Sequence, residues 1–75
     1  MAKTLNFKNI KWRNKLSNEE GFVKTVSPKN GCFYNTFNQS EAKKYTSEST
    51  INKDLEFMEK IGETDTNEFF VVDSN

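Results

Sequence analysis

Lys8, Lys11, Trp12, Arg13 and Lys15 crowd the start of this chain, and Lys24 and Tyr34 can join them once the chain turns back on itself. Rings among cations suit a nucleic-acid strand, because bases stack on the rings while ammonium and guanidinium groups neutralise phosphate. The same mixture suits a protein partner, where aromatic and Arg side chains dominate binding energy. Lys8, Lys11, Trp12, Arg13, Lys24 and Tyr34 are therefore the candidate partner-binding residues. Trp12 also alternates with Ile10, a spacing that admits it to the core.

Other chemistries have little to work with. The chain has no histidine, which removes the commonest general base and the usual partner of a Ser or Cys nucleophile. Its three glycines, Gly21, Gly31 and Gly62, stand at turns or caps and form no phosphate-binding loop. The lone cysteine, Cys32, permits no internal disulfide and reads as a structural thiol. Asp54, Glu56, Glu59, Glu63, Asp65 and Glu68 fall where solvated helix and turn positions are expected. The chain is expected to be non-enzymatic, with no cofactor and no metal.

Charge is sorted along the chain. Residues 1–39 hold seven Lys/Arg against two acids and residues 40–75 hold nine acids against four Lys, so +5 is followed by −5 and the total is zero. This sorting predicts one basic, aromatic-bearing surface and one acidic surface. It also permits self-association, basic face to acidic face. A strongly acidic mimic of DNA is disfavoured, since the acidic half is offset by the basic one.

The elements that must position these residues follow from pattern. Leu5 and Phe7, then Ile10 and Trp12, alternate with polar residues, and the parity slips at Asn9, where a bulge is expected. Ser17 to Gly21 is a turn. Phe22 to Val26 and Cys32 to Phe37 form a hairpin around Ser27-Pro28-Lys29-Asn30-Gly31, with Pro28 at the first central position of a type I turn and Gly31 in the left-handed closing position. That loop sets Val26 against Phe33, Lys24 against Asn35 and Phe22 against Phe37. Ser40 reads as the N-cap of a first short helix through Tyr45. A second helix spans 50–61, with Ile51, Leu55, Met58 and Ile61 on one stripe and Gly62 as its C-terminal stop. Phe69-Phe70-Val71-Val72 is apolar on both faces, as expected of a strand inside a sheet.

The predicted fold is α+β: a single domain over 1–75 with a small, mainly antiparallel four-stranded sheet in the order β-β-β-α-β and one or two helices packed on one face. Three strands followed by a helix resemble in outline the DNA-binding domains at the N-termini of phage integrases. No secretion signal or membrane-length apolar run is present, so a soluble, cytoplasmic protein is expected. Met1 and the lack of a tag predict a complete small gene product. Abundant Asn, Lys and Phe with few Ala suggest AT-rich coding DNA. The expected function is protein binding, as a phage or mobile-element factor that inhibits or redirects a larger host machine. The alternative is a small nucleic-acid-binding protein using the basic sheet face.

Overall fold

The computed structural model describes residues 7–74. Leu5 and Asn6, with which the first strand was expected to open, lie outside them. Four strands form one antiparallel sheet: β1 (Lys8–Asn14), β2 (Glu20–Ser27), β3 (Cys32–Thr36) and β4 (Asn67–Asp73), in the spatial order β3-β2-β1-β4. A single α-helix, α1 (Glu48–Lys60), lies between β3 and β4 in the chain, which gives the β-β-β-α-β order.

The β2–β3 hairpin closes as its loop chemistry dictates. Ser27 pairs with Cys32 and Val26 with Phe33, and Gly31 takes the left-handed φ of 66°. Beyond that the expected register fails. The ladder shifts by one between Val23 and Thr25, so Lys24 is the unpaired extra residue, Val23 faces Asn35, and Phe22 faces Thr36 instead of Phe37. This bulge puts Val23 and Val26 on the same face, where Val23 is buried and Val26 packs against the core. A strict alternation would have turned one of them to solvent.

The bulge expected at Asn9 is absent. β1 pairs with β4 without a break from Lys8 opposite Asp73 to Asn14 opposite Asn67. Asn9 is instead buried and satisfied, donating to the Lys43 carbonyl at 2.9 Å and accepting from the Gln39 amide at 3.1 Å.

The helix expected after Ser40 is also absent. Only a 3₁₀ turn forms, Gln39–Glu41, and its cap is Asn38, whose side chain accepts from the Ser40 N–H. The backbone beyond it is used for pairing. Tyr45 exchanges both backbone hydrogen bonds with Lys8, and the Lys43 N–H donates to the Val23 carbonyl. A helical turn would leave those groups of Lys8 and Val23 without partners.

α1 is capped by the Ser47 hydroxyl, which accepts from the Thr50 N–H, and ends where Gly62 adopts a left-handed φ of 87°. It packs on the sheet face that carries Ile10, Trp12 and Val23, and Ile51, Met58 and Tyr45 complete the core. Leu55, Phe57 and Phe69 are half-buried at its margin. Gly21 is required by this packing: a Cβ there would stand 2.6 Å from the Trp12 ring, which lies across the glycine.

Candidate partner-binding face

Cross-strand neighbours share a face, and successive residues of a strand alternate between faces. The side of the sheet away from α1 therefore carries Lys11 with its neighbours Phe22 and Phe70, Arg13 with its neighbours Glu20 and Glu68, and Tyr34 with Thr25. Among the described residues no α-helix covers this face. The 3₁₀ turn crosses one end of it, where Gln39 reaches both Asn9 and the Asp73 carbonyl. Phe70 and Tyr34 remain 38% and 48% exposed.

The cations of this face are already matched. Arg13 donates to Glu68 at 2.8 Å, and the Lys11 ammonium lies 2.8 Å from Glu20. Hydrogen bonding and charge from Glu68 raise the Arg13 guanidinium further above its ordinary value. The hydrogen bond from Lys11, with its charge, holds the Glu20 carboxyl below the usual range. The Arg13 guanidinium also stands over the Phe70 ring, 5.2 Å from its centroid.

The candidate residues divide accordingly. Lys11, Arg13 and Tyr34 stand on the open face. Lys24 is exposed at the bulge. Lys8 and Trp12 turn to the helix side: Lys8 pairs with Asp73, and Trp12 is only 5% exposed, within the core. Sequence reasoning missed Phe22, Phe70, Glu20 and Glu68. The apolar pair Phe69-Phe70 signalled that one of the two must face outward if β4 lay in a two-layer fold.

The expected division into one basic and one acidic surface does not form. β1 comes from the basic half of the chain and β4 from the acidic half, and the antiparallel register places Lys8 against Asp73 and Arg13 against Glu68. Inside the core layer, Asp54 of α1 receives the Lys43 ammonium at 2.9 Å and the Tyr45 hydroxyl at 2.5 Å. Lys8–Asp73 and Arg13–Glu68 thus join the two halves of the chain, while Lys43–Asp54 lies within the acidic half.

No group of three or more His, Cys, Asp or Glu among the described residues could hold a metal ion. Among the same residues no helix is long and apolar enough to cross a membrane. No family model, curated protein or solved structure matches the chain.

Proposed function

We propose that this chain is a small, non-enzymatic protein-binding module whose open sheet face docks a partner protein. The observation that carries this reading is the pairing of Lys11 with Glu20 and Arg13 with Glu68 on a face that also presents Phe22, Phe70 and Tyr34. Nucleic acid is held chiefly by unmatched cations that displace counterions from phosphate. A face whose cations already have carboxylate partners offers little of that attraction. Exposed aromatics with an Arg among them, rimmed by matched charges, supply instead the composition of protein hot spots.

We further propose, on a composition rich in Asn, Lys and Phe that suggests AT-rich coding DNA, that the module belongs to a phage or mobile element and inhibits or redirects a host protein machine. Its test is affinity capture from the native host, with and without nuclease, using the parent and Phe22→Ala/Tyr34→Ala. Specific partners retained by the parent and lost by the variant, at unchanged far-UV circular dichroism, support the reading. Partners lost on nuclease treatment alone favour nucleic-acid binding.

A further inference from the structure

The β4 edge has few of the devices that keep proteins from pairing edge to edge, its charges being Glu68 and Asp73, both paired with β1. Such edges are usually short, bulged, or guarded by Lys or Pro. β4 runs for seven residues, Asn-Glu-Phe-Phe-Val-Val-Asp, with no Lys, Arg or Pro. Its register with β1 is unbroken, and among the described residues β1 is its only strand partner. The opposite edge, β3, is shorter, and its pairing is bulged. Phe70 and Val71 of β4 are 38% and 46% exposed.

Beside this edge, on the helix side, runs a groove between β4 and α1. One end, about 630 Å³, lies among Phe69, Leu55, Asn52, Glu56, Glu59 and Lys15, whose ammonium donates to the Thr64 carbonyl and leaves the acids in excess. The other lies between Val71 and Ile51, and Asn52 borders both. Its apolar contacts are Leu55 and Phe69 at one end and Ile51 and Val71 at the other, among polar side chains. The helix wall is acidic: Glu48, Glu56 and Glu59 are exposed, and the ion pairs among the described residues include none of them.

We infer that β4 accepts an extended, basic and apolar segment of a partner protein as a fifth strand, with the groove taking every second side chain. Main-chain hydrogen bonds to the β4 edge would supply affinity, and pockets for alternate side chains would supply selectivity. Val- or Leu-sized side chains fit against Val71 and Phe69, while Lys or Arg stems lie over Leu55 and bring their charges to Glu56 and Glu59. A second copy of this chain is a poorer occupant. Pairing β4 with its twin about a two-fold axis sets the α1 helices side by side on one face, with Glu56 and Glu59 turned toward the same carboxylates of the other copy, and like charges so placed repel. This site is separate from the open sheet face, and its test separates the two.

The test uses two acetylated, amidated eight-residue peptides whose groove-facing positions carry both residue types, Val-Thr-Lys-Thr-Val-Thr-Lys-Thr (the Val/Lys peptide) and Val-Thr-Glu-Thr-Val-Thr-Glu-Thr (the Val/Glu peptide), titrated into the ¹⁵N-labelled chain. The Val/Lys peptide is expected to shift the amides of Glu68 to Val72 and slow their hydrogen exchange. Glu56→Lys/Glu59→Lys, both exposed positions, should weaken that binding by about tenfold or more. Phe22→Ala/Tyr34→Ala should leave it intact while abolishing capture through the open face. No response of β4 to the Val/Lys peptide, or equal binding of the Val/Glu peptide, overturns the inference. So does a concentration-dependent dimer with protected β4 amides, which would make a second copy the occupant. None of these three results bears on the open sheet face.

Discussion

Arg13 and Glu68 stand directly opposite each other in the β1–β4 ladder, with the guanidinium Nη2 2.8 Å from the carboxylate. They come from the two oppositely charged halves of the chain, and their pairing is the reason that its charge sorting does not become a sorted surface. Glu68→Lys should lower the melting temperature by setting two cations opposite each other. Adding Arg13→Glu should return only part of the loss, because the new carboxylate faces the introduced cation on one side and Glu20 on the other. The deficit of the single variant should shrink near 1 M salt, where the Debye length falls to about 3 Å. Thermal melts of the two variants and the parent at low and high salt check this.

Asp54→Ala should cost about 3 kcal/mol in urea unfolding, near the lower end for breaking a buried charged network, because Lys43 can turn its ammonium to water. The side chain of Asp54 is nearly enclosed while that of Lys43 is one-third exposed. A loss below about 1 kcal/mol, the range of surface pairs, would show that the site is wetter than its geometry implies.

Burial, reinforced by the hydrogen bond to Asp54 and its charge, pushes the Tyr45 hydroxyl far above its ordinary value of 10.0. The raised group is protonated in the folded chain, so its contribution is complete below pH ~10 and declines as the pH rises beyond that value, where the unfolded chain ionises. Urea unfolding from pH 9 to 11.5 should show stability falling with pH in the parent. The fall should be shallower in Tyr45→Phe. Parallel pH profiles would mean that Tyr45 ionises alike in both states.

Gly21→Ala should destabilise the fold because its methyl group meets the Trp12 ring at 2.6 Å. Overpacking of this kind costs about 1 to 3 kcal/mol. The loss should be smaller when measured in a Trp12→Leu background, where the ring is gone, and a double-mutant cycle reads the difference. Additive losses would place the strain elsewhere.

Features set by local chemistry were legible in the sequence. The Pro28–Gly31 loop, the pairing of Val26 with Phe33 and the left-handed Gly62 all follow from residues within a few positions of one another. The order β-β-β-α-β followed from periodicity. What was not legible depends on distant partners. Lys43 and Tyr45 have a helical neighbourhood but are drawn into extended pairing by Val23 and Lys8. The doubly apolar β4 was expected inside the sheet, yet it is an edge strand, because β1 has its other neighbour in β2. Trp12 was open to two readings, and the absence of a side chain at Gly21 gives its ring a place in the core. Asp54 did carry a signal: it lies three residues after Ile51 and four before Met58, on the buried stripe of α1.

The most direct measurement of the central claim, that the open face meets its partner as a charge-matched protein surface, is fluorescence anisotropy of a labelled random single-stranded oligonucleotide titrated with the parent. The control is Glu20→Gln/Glu68→Gln, which frees Lys11 and Arg13. At about 150 mM salt the parent should bind no more tightly than the roughly 10⁻⁴ to 10⁻⁶ M of non-specific association, and the control should bind more tightly, with a log-log salt slope steeper by about 0.7 for each cation that reaches a phosphate. Submicromolar binding by the parent, with a steep slope that the two substitutions leave unchanged, would contradict the claim and make the sheet face a nucleic-acid surface.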